Sequence, residues 1–139
     1  MRLPRTTLGR SVIAVDSSVL IRYLAQDDED QAALATRLFE HELTPADPGL
    51  VTVTALLETS WVLRRVYGQD WGAIYGIVAR LIAAPNLVIE HADAVALAIE
   101  ARARFADALI HLIGKQLGAD RTITFDRKFA RMDGVELLG

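Results

Sequence analysis

Short apolar runs alternate along the chain with longer segments in which apolar residues recur every three or four positions. The short runs have the length and composition of buried strands and cover residues 11–15, 50–53, 87–89, 121–125 and 135–138. The longer segments have the spacing of amphipathic helices and cover residues 19–26, 31–43, 55–67, 71–84, 92–102 and 105–117, with at most a short helix over 126–131. This alternation predicts an α/β fold, a three-layer α/β/α sandwich around a mainly parallel, short-stranded sheet.

Local signals predict where several of these elements begin and end. Asp16, Ser17 and Ser18 supply capping groups between the first strand and the first helix, and Thr54 is the expected N-cap of the third helix. The acidic residues 27–30 are favourable charges at the start of the second helix. The first strand is expected to be buried on both faces, because it is rich in β-branched residues.

The amino-acid composition is that of a folded, cysteine-free globular protein. The chain has 139 residues, of which 52% are hydrophobic, and this excludes a disordered chain and predicts one domain. We assign residues 12–139 to that domain and residues 1–11 to a flexible N-terminal extension. The absence of cysteine excludes a disulfide framework, a cysteine-based zinc site and a thiol nucleophile.

Hydropathy and charge indicate where the protein is located and which partners it can bind. Residues 1–11 contain three Arg but no apolar core, and no stretch approaches the ~20 apolar residues of a membrane span. We therefore expect a soluble, cytoplasmic protein with no membrane partner. The 18 acidic residues outnumber the 15 basic ones, which disfavours a basic DNA-binding domain. However, 13 of those 15 bases are Arg, the residue whose planar fork best binds phosphate and carboxylate.

Several familiar catalytic patterns are missing from the sequence. It contains no Walker A loop and no Gly-x-Gly-x-x-Gly, which leaves little support for a nucleotide cofactor. Its three histidines lack the spacing of a zinc site, and Ser60 lacks the flanking glycines of a hydrolase elbow. The remaining candidates for chemistry are carboxylates.

Four carboxylates stand out by position. Asp16 and Asp126 directly follow the first and fourth strands, at the sheet edge where α/β proteins bind ligands, and Asp107 lies in the first turn of a helix. Each of these three also has a structural explanation, as an N-cap, a helix-end charge or a partner of Arg104. Glu58 borders the apolar stripe of its helix without a basic residue at helical spacing, so it needs a tertiary partner or a metal ion.

Together these four acids favour a metal site. Like charges held close together raise each other's pKa, so a carboxylate cluster needs a cation. Oxygen ligands select Mg²⁺ or Mn²⁺ over zinc, and such an ion can activate water for attack on a phosphate. The sequence therefore predicts metal-assisted hydrolysis of phosphodiester bonds.

The four segments that carry these acids resemble PIN-domain ribonucleases, and specifically VapC-type toxins of bacterial and archaeal type II toxin–antitoxin pairs. The segments are VDSSVLIRYL at 15–24, LETSWVLRR at 57–65, FADALI at 105–110 and TITFDRKF at 122–129. They occur in the order and spacing of that family, and the resemblance covers about residues 12–138.

The resemblance implies a Mg²⁺- or Mn²⁺-dependent endoribonuclease whose four acids Asp16, Glu58, Asp107 and Asp126 are both the catalytic residues and the metal ligands. Thr124 and Ser18 occupy supporting positions, although many relatives have Asn in place of Ser18. A second departure is Arg104, which stands where many relatives have an acidic residue. Arg104 either weakens the binding of a second metal ion or offers a contact to phosphate.

The resemblance also implies partners. The candidates for contacts with RNA phosphates are Arg22, Arg64, Arg65, Arg104, Arg127 and Lys128. A homodimer is expected, together with a VapB-like antitoxin whose C-terminal segment lies in an apolar groove and covers the site. The apolar faces of residues 19–24 and 32–39 are candidates for that groove, although they can equally pack on the sheet.

Two other functions stay open at this point. The first is a catalytically weak PIN module that binds RNA or antitoxin without efficient cleavage, which the Arg104 departure would explain. The second is a small phosphatase or receiver-like α/β domain, which also has an Asp after its first strand. The second is disfavoured because Asp16-Ser17-Ser18 lacks the second acid of the Asp-x-Asp phosphatase motif.

Overall fold

The computed structural model describes residues 11–101 and 104–139. The extension assigned to residues 1–11 lies outside the described residues except for Ser11, whose backbone N–H donates to Asp47 Oδ1 at 2.8 Å. The chain divides into two compact units, Met1–Glu90 and His91–Gly139, which are described in turn. The assignment of residues 12–139 to a single domain stays a prediction.

The first unit alternates short strands with helices. Its elements are β1 (Ile13–Ala14), α1 (Ser17–Ala25), α2 (Glu29–Arg37), a π-helical turn (Leu38–Glu42), β2 (Gly49–Val51), α3 (Val53–Arg65), α4 (Trp71–Ala83) and β3 (Leu87–Ile89). The three strands form one parallel sheet in the order β1-β2-β3, with Ala14 beside Leu50 and Leu50 beside Val88. Parallel strands need crossover connections, and the helices between them supply these crossovers.

The first strand is less buried than its composition predicts. Ile13 is 48% exposed, so the expectation that this strand is buried on both faces is wrong. The reason is that β1 is only two residues long and forms the edge of the three-stranded sheet. The central strand β2 fits the expectation better, since Gly49 and Val51 are both buried.

Side-chain caps fix where the helices of this unit begin. Asp16 caps α1 by accepting from the Ser18 N–H, and Asp70 caps α4 by accepting from the Ala73 N–H. Thr52, rather than the predicted Thr54, caps α3, because its hydroxyl accepts from the Ala55 N–H at 3.2 Å. Thr54 lies inside α3, one residue past the first helical position.

The core of the first unit consists of aliphatic side chains from its sheet and helices. Leu20 on α1, Val51 on β2, Leu56 on α3 and Ile74 on α4 are each at most 1% exposed. Burying a leucine or isoleucine side chain of this kind stabilises a fold by about 1.5–3 kcal/mol. These four residues therefore hold α1 and α3 in fixed positions. Asp16 caps the start of α1, and Glu58 lies on α3.

The second unit pairs two helices with two strands. Its elements are α5 (Ala92–Glu100), α6 (Phe105–Gln116), β4 (Thr122–Thr124), a 3₁₀ turn (Phe129–Arg131) and β5 (Val135–Leu137). β4 and β5 are parallel, with Ile123 beside Glu136. The predicted last residue of the α5 segment, Arg102, lies outside the described residues.

A buried histidine ties α6 to the strands of the second unit. His111 is 6% exposed, and its Nδ1 lies 2.7 Å from the Thr122 hydroxyl. Gly134, which precedes β5, has a φ of +85°, and a Cβ at this position would lie 2.9 Å from the His111 ring. A side chain at position 134 would therefore meet both backbone strain and a collision.

The sequence pattern predicted the fold class and most element positions. Among the described residues, six α-helices and five short parallel strands occupy the predicted segments, with ends shifted by a few residues. No helix in the described part of the chain is long and apolar enough to cross a membrane.

Two leucines of the first unit give a direct test of this core. Replacing Leu20, which is fully buried, by Ala should lower the free energy of unfolding by about 2–5 kcal/mol. The same substitution at Leu34, which is 67% exposed on α2, should change it by no more than about 0.5 kcal/mol. Urea denaturation measures both, and equal losses would contradict the assignment of the core.

Candidate active site

Asp16 is held at the start of α1 by bonds to a single neighbour. Its Oδ2 accepts from the Ser18 N–H at 3.1 Å and from the Ser18 hydroxyl at 2.5 Å. These two bonds stabilise the charged carboxylate, and the hydroxyl bond is the main cause that lowers the pKa of Asp16 below its usual value. Both bonds from Ser18 go to Oδ2, so Ser18 does not occupy Oδ1.

Glu58 shares a cavity of about 350 Å³ with Asp16. It lies on α3, exposed, and makes no ion pair or hydrogen bond with any residue that the structure describes. The tertiary partner that its sequence context called for is therefore not a basic side chain of the described chain. Two carboxylates that line one cavity, neither of them in an ion pair with a described residue, form an oxygen donor set suited to a hard cation.

Arg22 lies on the wall of the same cavity and is fixed by three side chains. Its Nε donates to Gln31 Oε1 at 2.7 Å, and its Nη1 lies 3.3 Å from the Tyr67 hydroxyl and 3.4 Å from Asp27 Oδ1. The Tyr67 hydroxyl in turn donates to Asp27 Oδ2 at 2.6 Å. Sequence reasoning placed Arg22 near the site but missed Asp27 and Tyr67, which are 40 residues apart.

The second unit brings together Asp107, Asp126 and Arg104. The Arg104 Nε lies 3.0 Å from Asp107 Oδ2, which is the helical pairing that the sequence allowed. The Nη2 group of the same guanidinium donates to Asp126 Oδ2. Two of the four predicted metal ligands are therefore bridged by a cation from the chain itself.

Asp126 is anchored by the turn that follows β4. Its Oδ1 accepts from the Lys128 N–H at 2.9 Å and the Phe129 N–H at 3.1 Å, while its own N–H donates to the Thr124 hydroxyl at 3.0 Å. The backbone N–H of Phe129, followed by Arg104, lowers the pKa of Asp126. The Thr124 hydroxyl thus contacts the backbone of Asp126, and its supporting role in the site stays a prediction.

Cations line a cavity of about 540 Å³ in the second unit. Arg104, Lys128 and Arg131 are on its wall, with Asp107 as the one acid. Lys128 was a predicted phosphate contact, whereas Arg131 was not, because nothing in its local pattern separates it from an ordinary surface residue. Three cations against one carboxylate make this cavity attractive to an anion such as phosphate.

The other predicted phosphate contacts are spread over the surface. Arg64 donates to the backbone oxygen of Gln69 at 3.3 Å. Arg65 and Arg127 are exposed and form no ion pair within residues 11–101 and 104–139.

The four predicted ligands divide into two pairs, one in each unit. Asp16 and Glu58 line one cavity, and Asp107 and Asp126 share the guanidinium of Arg104. In the described part of the chain, no three His, Asp or Glu side chains are gathered closely enough to hold a metal ion. Each pair nevertheless offers carboxylate oxygens, the donors that Mg²⁺ and Mn²⁺ prefer.

The Tyr67–Asp27 hydrogen bond should give the stability a recognisable pH dependence. The bond lowers the pKa of Asp27, so its stabilisation is present above the usual value of about 3.9 and is lost as the pH falls through the lowered pKa. Relative to wild type, Tyr67→Phe should be destabilised by a constant amount from about pH 5 to 8, and this difference should shrink below about pH 4. Urea denaturation from pH 2 to 8 measures it.

Tyr23→Phe is the matched control for that measurement. The Tyr23 ring stacks on Phe39, and its hydroxyl makes no hydrogen bond to a described residue. Its stability difference from wild type should stay constant over the same range. A constant difference for Tyr67→Phe as well would contradict the assigned role of the bond.

Comparison with known proteins identifies the family of the chain. The PIN domain family matches residues 13–135, which is most of the chain and includes all four acids. A search of curated proteins finds no match. The family match, together with the helices and short parallel strands, confirms the predicted α/β fold class. The chain belongs to the PIN domain family.

Proposed function

We propose that this protein is a Mg²⁺- or Mn²⁺-dependent endoribonuclease that acts as the toxin of a toxin–antitoxin pair. PIN domains are generally metal-dependent nucleases, and this supports the nuclease class. The observation that carries the proposal is the cavity in which Asp16 and Glu58 lie together, with Arg22 on its wall. Two carboxylates provide the metal ligands, and the guanidinium provides a contact for a phosphate.

The residues present fit a divalent ion. Neither Glu58 nor Asp16 has a counter-ion among the described residues, so both can ligate. Asp107 and Asp126 complete the proposed ligand set. A divalent ion held by these carboxylates would supply an activated water and positive charge for the attacked phosphate.

The side chains around the carboxylates have separate tasks in this proposal. Ser18 keeps Asp16 charged and oriented through its two hydrogen bonds. Arg22, held by Gln31 and Tyr67, binds a phosphate of the substrate beside Asp16. Lys128 binds another phosphate in the cationic cavity of the second unit.

A second candidate function is supported by a specific observation. The Arg104 guanidinium already neutralises Asp107 and Asp126, so the protein can be a PIN module that binds RNA or antitoxin without efficient cleavage. Titration with Mn²⁺ separates the two functions. A nuclease should bind the ion at millimolar or lower concentrations, whereas the weak module should not.

We also propose that an antitoxin segment binds between α1 and α2. An apolar cavity of about 380 Å³ lies there, and its wall includes Val19, Leu34, Ala35 and Leu38. Leu34 is 67% exposed, so an amphipathic segment of a partner would gain by covering it. The homodimer implied by the family resemblance stays a prediction, and sedimentation of the purified protein tests it.

Asp16→Asn tests the nuclease proposal. RNA cleavage should fall at least ~100-fold, because even residues that only orient metal ligands contribute 10–100-fold. The fold should survive, since Asn caps a helix as well as Asp does. Mapping new RNA ends in the presence of Mg²⁺ measures the loss of cleavage, and thermal unfolding measures whether the fold survives.

Asp70→Asn is the matched control, because Asp70 caps α4 as Asp16 caps α1. Its cleavage rate should equal that of the wild type. Cleavage by Asp16→Asn at a near-normal rate would overturn the assignment of Asp16 to the metal site.

Leu34→Glu tests the antitoxin proposal. A C-terminal peptide of the proposed antitoxin should bind at least about tenfold more weakly, because a charge would have to be buried in the apolar contact. Leu97, which is 52% exposed on α5, provides the control variant Leu97→Glu, which should bind the peptide normally. Equal affinities for all three proteins in a calorimetric titration would exclude this groove as the binding site.

A further inference from the structure

Arg104 is placed to bind two carboxylates rather than one. It immediately precedes α6, and its side chain, 61% exposed, reaches Asp107 in the first turn of that helix through Nε. Its Nη2 reaches Asp126, which follows β4 and lies 22 residues further along the chain. A local helix pair would explain only the contact with Asp107. The bridge to Asp126 is a tertiary contact within the second unit.

The oxygens in this bridge converge on one position. Asp126 uses Oδ1 to accept the Lys128 and Phe129 N–H groups, which leaves Oδ2 for Arg104. Asp107 also presents its Oδ2. One oxygen from each carboxylate therefore contacts the same guanidinium, at a position where two negative charges would repel each other without a cation.

We propose that Arg104 is the resident counter-ion of the Asp107–Asp126 pair, and that a divalent metal ion binds this pair only by displacing the Arg104 guanidinium. The proposal rests on the proposed function for the identity of the competing ion. It assigns Arg104 as a positioning residue that sets the affinity of the site for metal.

The exposure of the three side chains makes such a displacement feasible. Arg104 is 61% exposed, Asp107 25% and Asp126 37%, so water screens both ion pairs and can solvate the guanidinium when it leaves. The cavity beside it also carries Lys128 and Arg131. Arg104 already lies on the wall of this cavity, so a guanidinium released from the two carboxylates could contact a phosphate of the substrate there.

The test is a Mn²⁺ titration of the full chain, followed by calorimetry or by the signal of free Mn²⁺ in electron paramagnetic resonance. Arg104→Gln removes the competing charge, so its affinity should exceed that of the wild type by about three- to thirtyfold, the range expected for two exposed ion pairs. Arg121→Gln is the matched control. Arg121 is also 61% exposed and pairs with Glu136 at 3.2 Å in the same unit. Its Mn²⁺ affinity should equal that of the wild type.

A double variant identifies the oxygens for which Arg104 competes. In an Asp126→Asn background, Arg104→Gln should no longer tighten Mn²⁺ binding by the same factor, because the shared ligand is gone. Thermal unfolding distinguishes the counter-ion role of Arg104 from a purely structural one, because only a counter-ion can be replaced by Mn²⁺. In EDTA, Arg104→Gln should unfold at a lower temperature than wild type, and this deficit should disappear at saturating Mn²⁺.

The outcomes separate this proposal from the proposed function. If wild type and Arg104→Gln bind Mn²⁺ equally well, or the variant binds it more weakly, the counter-ion proposal is wrong and the nuclease proposal stands. If the variant binds more tightly but neither protein cleaves RNA, the counter-ion proposal stands and the nuclease proposal is wrong. If neither protein binds Mn²⁺, both are wrong.

Discussion

The need to neutralise converging carboxylates is the constraint that organises the candidate site. A carboxylate can stay charged beside another only if hydrogen-bond donors or cations offset the repulsion. The chain uses both means. Ser18 donates two bonds to Asp16, and Asp126 receives two backbone N–H groups and a guanidinium. The short strands and capped helices place these donors, so the fold and the charge balance of the site depend on each other.

The two carboxylate pairs represent different solutions to that constraint. Glu58 and Asp16 have no cationic partner within the described residues, so in the proposed function this pair receives an external ion. Asp107 and Asp126 already have Arg104 between them. Arg104 therefore occupies the place between the second pair of carboxylates where the proposed function puts a metal ion.

The sequence predicted the elements because these follow from local periodicity and capping, whereas the assignment of the four acids to one metal site stays a prediction. The predicted N-cap of α3 was wrong because Thr52 and Thr54 are equally good capping residues by sequence. Since β2 ends at Val51, the helix begins earlier than predicted and Thr52 is its cap. The sequence did not predict contacts between distant segments. The Tyr67–Asp27 bond joins the end of α3 to the segment before α2, and Asp27 in the sequence belongs to an acidic cluster whose ordinary role at a helix start explains it fully.

The same local charge balance decides which cations can bind RNA. Arg22 and Arg104 are both held by carboxylates of the chain, so a phosphate that binds either one must compete with an existing ion pair. Arg65, Arg127 and Lys128 are exposed and form no ion pair in the described residues, so they can bind a phosphate without breaking one. In the proposed function, these residues, together with Arg64 and Arg131, which also form no ion pair with a described residue, can make the first electrostatic contact with RNA. In the same proposal, Arg22 and Arg104 contribute only after a phosphate, or for Arg104 a metal ion that takes over its carboxylates, has broken their ion pairs.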